Sequence, residues 1–175
     1  MRLLLLRHTD AVPGGDDKRR ALSLKGREQA IALGRHFEKT DKRLPRRAYH
    51  SSLRRSRETG EIFFAELSRK PVLIQQDGLA PEDNPSHLIP WIEEQEHSLM
   101  LIGHNPFMEI LAGLLLNQDP YAGPVQFRKG TLLCLKKNLL IPPQGPPFRR
   151  WQVSWALTPG ICQKVTPTPV SPSNT

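Results

Sequence analysis

The sequence predicts an α/β fold in which a mostly parallel central sheet carries helices on both faces, as a three-layer sandwich. The first observation is the apolar run Leu3–Leu6 near the start of the chain. A strand with one wet face alternates apolar and polar residues, and this run does not alternate. Continuous apolar strands are typical of parallel sheets that are buried on both faces.

Two further apolar runs repeat the pattern of a strand, a polar turn and the start of a helix. One is Ser98–Ile102, which ends in Gly103 and His104, and the other is Ala48–Ser51. After the first of them, Asn105 offers an N-cap and Pro106 suits the first position of a helix. The ligand crevice of an open α/β sheet lies outside the carboxyl ends of its strands, so these turns are expected to form one site.

The other elements follow from apolar spacing and turn residues. Ser23 offers an N-cap for a helix that ends near Phe37. Further expected elements are a helix over about 55–67, a strand over 71–74, a helix over 85–95, a helix over 107–116, a strand over 131–135 and a strand over 151–156. The last strand alternates, which favours an antiparallel or edge position. We expect 136–138 to begin a long connection.

The length of 175 residues fits one domain with a sizeable core. We expect this domain to span 1–157. The remaining stretch, 158–175, is rich in Pro, Ser and Thr without apolar periodicity, which predicts a disordered tail.

Charge and cysteine usage narrow the class of protein. The net charge of +8, from 25 Lys plus Arg against 17 Asp plus Glu, predicts attraction to anions without choosing among them. Cys134 and Cys162 are far apart and neither belongs to a C-x-x-C pair, which favours a reduced, cytoplasmic protein without a metal site. No stretch is long and apolar enough for a membrane span.

Two imidazoles and two guanidiniums are expected at the rim of the sheet: His8, His104, Arg7 and an arginine of the 54–57 turn. Guanidinium binds phosphate oxygens in a bidentate manner and stays charged, whereas adjacent arginines repel a metal cation. The set therefore favours a phosphoryl group over a metal. Arg54, Arg55 and Arg57 compete for the second arginine position.

These motifs resemble those of the histidine phosphatase (phosphoglycerate mutase-like) superfamily. Residues 7–9 are similar to its Arg-His-Gly signature, and residues 51–59 to its Ser-Pro-x-x-Arg-(small)-x-x-Thr segment, which aligns Arg55 with the second pocket arginine. Residues 103–105 match its second histidine. The short chain and residues 20–26 resemble the SixA-like branch of phosphohistidine phosphatases, which has Arg-Pro-Leu-Thr-x-x-Gly there. The likeness extends to about Ala156.

The resemblance implies a metal-independent phosphatase without a cofactor. His8 would be the nucleophile and become a phosphohistidine, while Arg7 and Arg55 hold the equatorial oxygens. His104 would act as an imidazolium, which stabilises charge and donates a proton. Water then hydrolyses the intermediate. The expected substrate is phosphohistidine in a protein, such as a histidine-phosphotransfer domain.

Three kinds of residue leave the details of the site open. Arg20 is either an auxiliary phosphate or substrate contact or a surface charge. Glu82 or Asp83 is either a general acid for a leaving alkoxide or part of a turn that precedes a helix. Thr9 departs from the family's Gly, and its side chain would either narrow the pocket mouth or add a hydrogen bond.

Other functions use the same residues. A phosphomonoesterase for small phosphate esters or for other phosphoproteins would need a working acid such as Glu82. A non-catalytic phosphate-binding module would tolerate the loss of a histidine, and both histidines are present. A nucleic-acid partner ranks last, because the basic residues lack an interleaved aromatic platform.

Overall fold

A computed structural model describes residues 1–40, 43–123 and 125–165. Within these ranges the strands are β1 Arg2–Arg7, β2 Arg47–His50, β3 Val72–Gln75, β4 Leu99–Gly103, β5 Leu132–Leu140 and β6 Phe148–Leu157. The helices are α1 Leu24–Thr40, α2 Arg54–Ala65, α3 Ile89–Glu94, α4 Phe107–Asn117 and α5 Pro159–Val165. Short 3-10 turns cover Asp17–Arg19 and Pro85–Leu88. The strands form one sheet in the order β3-β2-β4-β1-β5-β6.

Strand β1 lies inside the sheet, parallel to β4 and antiparallel to β5. Its four leucines are all fully buried, because each face of the strand meets a different apolar cluster. Burying one leucine side chain stabilises the fold by about 1.5–3 kcal/mol. The run of four therefore has the two-sided burial that its lack of alternation predicts.

Helices cover both faces of the sheet. On one face, Leu4 and Leu6 pack with residues of α1, α2 and α5, including Phe37 and Phe63. On the other face, Leu3 and Leu5 pack with residues of α3 and α4. The predicted three-layer α/β fold is confirmed.

Strands β3, β2, β4 and β1 all run parallel, so their carboxyl ends meet at one edge of the sheet. In the β1–β4 pairing, Arg7 lies opposite Gly103, and each is followed by a histidine. The β2–β4 pairing sets His50 opposite Ile102. The polar turns after β1, β2 and β4 are thereby brought side by side.

Strand β5 is longer than the sequence predicts. Residues 136–138 continue the strand to Leu140 instead of beginning a connection, because they pair with β6 across the register Lys136–Gln152 to Asn138–Arg150. Lys137 also contacts the Glu93 carboxylate and lies 5.8 Å from the centre of the Trp151 ring. Strand β6 is antiparallel at the edge of the sheet, as its alternation indicates.

The tail that the sequence places at 158–175 does not begin at residue 158. Helix α5 occupies Pro159–Val165, and its Cys162 is buried against the cluster on the α1 and α2 face. One cysteine and one isoleucine in a short Pro- and Thr-rich stretch provide too little periodicity to predict this helix. The rest of the predicted tail, 166–175, lies outside the described residues. None of the helices in the described ranges is long and apolar enough to cross a membrane.

Candidate active site

His8 lies directly after β1 with its ring almost completely buried. Its Nδ1 is 2.7 Å from the carbonyl oxygen of Thr9, which fixes the ring and places the proton of the neutral form on Nδ1. The opposite nitrogen, Nε2, then carries a lone pair. Burial, followed by the charges of Arg55 and Arg7, lowers the pKa of His8 to about 4. The ring is therefore neutral at physiological pH, as a nucleophile requires.

Arg55 contacts the His8 ring nitrogen that carries the lone pair. Its Nε donates to His8 Nε2 over 3.3 Å, and its guanidinium is buried. The residue lies in the first turn of α2, which starts where β2 ends. Of the three arginines in this turn, Arg54 pairs with Glu58 and Arg57 with Glu61, so Arg55 alone faces His8. The family register predicted this choice.

His104 follows β4 and is nearly inaccessible to solvent. Its ring centre lies 4.9 Å from that of His8. Its Nε2 is 2.5 Å from Ser51 Oγ, and that oxygen accepts a hydrogen bond from the Leu53 N–H over 3.3 Å. When the Ser51 hydroxyl donates to Nε2, the proton of the neutral imidazole lies on Nδ1.

The structure does not support an imidazolium at His104. Burial, followed by the neighbouring His8, Arg55 and Arg7, lowers the pKa of His104 to about 2. The imidazolium that the resemblance implies does not take account of the cations that the fold packs around this ring. These neighbours favour the neutral form of the His104 ring.

Arg7 is positioned by the loop before β5. Its Nη1 donates to the Phe127 carbonyl oxygen over 2.6 Å. The same oxygen accepts from Asn105 Nδ2 over 3.0 Å, and Asn105 also donates to Glu109 Oε1. Asn105 is therefore a bridge between this loop and α4. It is not the N-cap that the sequence suggests, and Pro106 occupies that position instead of the first helical one.

Three buried nitrogen atoms around His8 and His104 make no hydrogen bond to any described residue. They are Arg7 Nε, Arg20 Nε and His104 Nδ1. Burying a polar group without a partner costs free energy, so such groups are uncommon in folded proteins. Arg7 Nε and His104 Nδ1 point to an anionic ligand, while Arg20 Nε has the Asp17 carboxylate 3.5 Å away as a charge partner.

The 3-10 turn Asp17–Arg19 places the Asp17 carboxylate against the guanidiniums of Arg55 and Arg20. Arg55 Nη1 donates to the Asp17 carbonyl oxygen over 2.7 Å, and Arg55 Nη2 donates to Asp17 Oδ2 over 3.1 Å. The other carboxylate oxygen lies 3.5 Å from Arg20 Nε. Arg20 is thus placed beside the cluster, and Asp17 occupies guanidinium edges that a phosphoryl group would also use.

The candidate acids on the loop after β3 do not reach the cluster. Asp83 Oδ2 accepts from the Ala80 N–H over 2.7 Å, which stabilises the turn. Glu82 is exposed. In the described part of the chain it makes no hydrogen bond or ion pair with the four site residues Arg7, His8, Arg55 and His104. Asn84 caps the following 3-10 turn through the Ser86 N–H. The turn interpretation of this loop fits the structure.

Thr9 lies beneath the site. Its side chain is fully buried, its N–H donates to Thr59 Oγ1 over 3.2 Å, and the two hydroxyl oxygens are 3.4 Å apart. Thr59 in turn donates to the Arg55 carbonyl oxygen over 2.7 Å. The Thr9 hydroxyl therefore joins β1 to α2 and does not narrow the pocket mouth.

Two residues of the site have no assigned role in the sequence argument, namely Ser51 and Asp17. Ser51 is part of the family segment and follows a strand end like the two histidines, which is the signal that could have identified it. Asp17 belongs to a polar loop, and nothing local indicates that its carboxylate meets Arg55. No group of three or more His, Cys, Asp or Glu side chains in the described ranges is arranged to hold a metal ion.

Known proteins share this architecture. The sequence model of the Histidine phosphatase superfamily (branch 1) matches residues 3–80, the range that contains His8 and Arg55. The fold is similar to that of the protein histidine phosphatase SixA complexed with tungstate, with a TM-score of 0.76 and 18% identity over 92% of this chain and 99% of that one. A search of curated proteins found no match.

Two further solved structures extend the comparison. The putative phosphohistidine phosphatase SixA from Agrobacterium tumefaciens has a TM-score of 0.71 and 24% identity over 90% of this chain and 97% of that one. A mycobacterial glucosyl-3-phosphoglycerate phosphatase has a TM-score of 0.63 and 16% identity over 87% of this chain and 96% of that one. Residues 3–80 thus match the model of the histidine phosphatase superfamily, and the fold of the chain is like that of the SixA proteins.

Proposed function

We propose that the protein is a phosphohistidine phosphatase that works without a metal and passes the phosphoryl group through His8. The observation that carries this proposal is the neutral, fixed His8 ring surrounded by guanidinium and imidazole N–H groups. Such a cluster can bind a phosphoryl dianion and present a lone pair to its phosphorus atom.

In the first step, His8 Nε2 attacks phosphorus, the bond between phosphorus and the leaving nitrogen breaks, and the leaving imidazole takes a proton from solvent water. Arg55 moves its Nε hydrogen bond from the ring to a phosphoryl oxygen, while Arg7 and His104 Nδ1 bind the remaining oxygens. In the second step, water attacks phosphorus, the bond to His8 breaks, a proton of that water passes to solvent, and inorganic phosphate leaves. His8 returns to its starting form.

Two observations support a phosphohistidine substrate over an ester. An imidazole leaving group is protonated easily, so it does not need an acid of the enzyme, and Glu82 and Asp83 do not reach the cluster. The fold is also similar to that of SixA proteins. The substrate proposed is a phosphohistidine-bearing protein, of which a histidine-phosphotransfer domain is an example.

Small phosphate esters are the second candidate substrate class, because a solved structure of similar fold is a glucosyl-3-phosphoglycerate phosphatase. For such a substrate the proton for the leaving alkoxide would come from a residue other than Arg7, His8, Arg55 and His104. Glu82 is the candidate that the sequence indicates, and it would have to move to the cluster.

The experiment compares a phosphorylated histidine-phosphotransfer domain with an aryl phosphate, both in the presence of a chelator. Wild type, His8→Ala and the control His87→Ala, at an exposed histidine, are measured together. We expect wild type and the control to dephosphorylate the domain and His8→Ala to lose nearly all of this activity. Turnover of the aryl phosphate alone would support the ester phosphatase. Phosphate binding without turnover of either substrate would support a non-catalytic module.

A further inference from the structure

A second basic site lies next to the catalytic cluster. It is an open cavity of about 280 Å³ between the Asp17–Arg19 turn, the ends of β2 and β3, and the start of α2. Each liquid water occupies about 30 Å³, so the cavity has room for a side chain and not only for a single ion. The groups around it are the cations Lys18, Arg19, Arg54 and Arg57 together with His50 and Gln75.

The cavity adjoins the residues that would bind the phosphoryl group. Lys18 follows Asp17, whose carboxylate accepts from Arg55. Arg54 precedes Arg55 in α2. His50 is buried and bonds through Nδ1 to the carbonyl oxygen of Ser51, whose hydroxyl contacts His104. The cavity therefore shares its turn and its helix with the residues that would bind the phosphoryl group.

The cations of the cavity are available to a partner. Arg54 pairs with Glu58, Arg57 with Glu61 and Arg19 with Asp16, and the three arginines are about half to nine-tenths exposed. The Arg57–Glu61 and Arg19–Asp16 pairs are exposed on both sides and contribute little free energy, so a carboxylate from another molecule can replace the internal one at small cost. Glu58, the partner of Arg54, is only 10% exposed, so Arg54 is held more firmly. The side chain of Lys18 is exposed and forms no ion pair within the described part of the chain.

We propose that this cavity binds an acidic segment beside the phosphorylated histidine of a protein substrate. The proposal rests on the proposed function and deepens it by naming the chemistry of the substrate's surroundings. Two carboxylates on one segment would match cations that come from two separate elements, the Asp17–Arg19 turn and α2. The net charge of +8 also draws acidic proteins toward the molecule.

The test uses two synthetic peptides that carry one phosphohistidine, flanked either by two glutamates or by two glutamines. Wild type is compared with Lys18→Gln and Arg57→Gln. The matched control is Arg35→Gln, because Arg35 is also an exposed helical arginine paired with a glutamate, Glu66, on another part of the surface. The quantity measured is the ratio of kcat/KM for the glutamate peptide to kcat/KM for the glutamine peptide.

We expect each cavity variant to lower this ratio about two- to fivefold, which corresponds to the loss of one exposed charge pair, while Arg35→Gln leaves it unchanged. Raising the salt to about 0.5 M should bring the wild-type ratio close to that of the variants. A ratio that stays the same in Lys18→Gln and Arg57→Gln, or falls equally in Arg35→Gln, would overturn the acidic-segment site.

A binding measurement separates this proposal from the proposed function. If neither phosphopeptide is turned over, the phosphatase assignment fails, and the cavity is tested on the isotope-labelled full chain by NMR with unphosphorylated peptides. Shifts of the Lys18 and Ser52 amides with the glutamate peptide, and not with the glutamine peptide, would support the site. Equal shifts of these amides with both peptides, or shifts with neither, would overturn it.

Discussion

Replacing Asp17 with asparagine should strengthen the binding of phosphate-like anions. The Asp17 carboxylate lies 3.1 Å from Arg55 Nη2 and 3.5 Å from Arg20 Nε, so it neutralises the guanidiniums that the proposed mechanism assigns to the phosphoryl group. An incoming dianion has to displace this carboxylate. The asparagine amide of the Asp17→Asn variant would keep a hydrogen-bonding oxygen but would no longer compete as a charge.

The size of the effect follows from exposure. The Arg55 side chain is 5% exposed and that of Asp17 is 59% exposed, so the pair is half-screened by solvent. Exposed pairs contribute about 0.2–1 kcal/mol, and hydrogen bonds to charged groups about 1.5–3 kcal/mol. A value between them, about 1–1.4 kcal/mol, corresponds to a five- to tenfold gain in affinity. The Asp17→Asn variant keeps the backbone carbonyl contact to Arg55.

The assay is calorimetric titration of the protein with tungstate or orthovanadate at neutral pH. Asp16→Asn is the matched control, because it makes the same charge change one residue away and has no contact with Arg55. We expect Asp17→Asn to bind the anion about five- to tenfold more tightly and Asp16→Asn to differ from wild type by less than about twofold. Equal or weaker binding by Asp17→Asn would refute the reasoning and would mean that Asp17 serves to orient Arg55.

Three further predictions concern orientation, pH and backbone geometry. Ser51→Ala removes the hydroxyl 2.5 Å from His104 Nε2, and we expect kcat/KM to fall about tenfold with the circular dichroism spectrum unchanged; an unaltered rate would contradict this role. The pKa of His8 is about 4 in the folded protein and 6.5 in an unfolded chain. Below pH 6.5 the unfolded state therefore binds more protons than the folded state, and the free energy of unfolding decreases as the pH is lowered. Urea titrations should show that the free energy of unfolding drops between about pH 7 and pH 5 by about 2 kcal/mol more in wild type than in His8→Asn, and equal drops would contradict the lowered pKa. Gly130 has a φ of +77°, and an added Cβ would lie 2.6 Å from the ring of Pro159, the first residue of α5. Gly130→Ala should therefore lose about 1–3 kcal/mol of stability by thermal unfolding, while Gly160→Ala, with open space around it, should not.

The strand ends of the site could be predicted from sequence because their signal is local. Leu3–Leu6 and the run before Gly103 are continuous apolar segments, and buried parallel strands account for them directly. Each run is followed by a histidine, so the fold class alone brings His8 and His104 to one edge of the sheet. The family register then selected Arg55 from a turn with three arginines.

The features that sequence reasoning missed depend on contacts between distant segments. Strand β5 continues through Lys136 because β6 supplies its partner, and no local pattern in that charged stretch indicates a strand. The neutral state of His104 arises from burial beside other cations, which follows only from packing. Asn105 has the chemistry of an N-cap, but the loop carbonyl of Phe127 offers it a different partner.

The most direct test of the account is to trap the phosphorylated enzyme. Wild-type protein would be mixed with a phosphohistidine substrate, quenched in alkali within milliseconds and mapped by mass spectrometry across the six histidines of the chain. We predict an alkali-stable, acid-labile phosphoryl group on His8 alone, and none in His8→Asn. A phosphoryl group on another histidine, or full turnover by His8→Asn, would contradict the central claim that His8 carries the phosphoryl group.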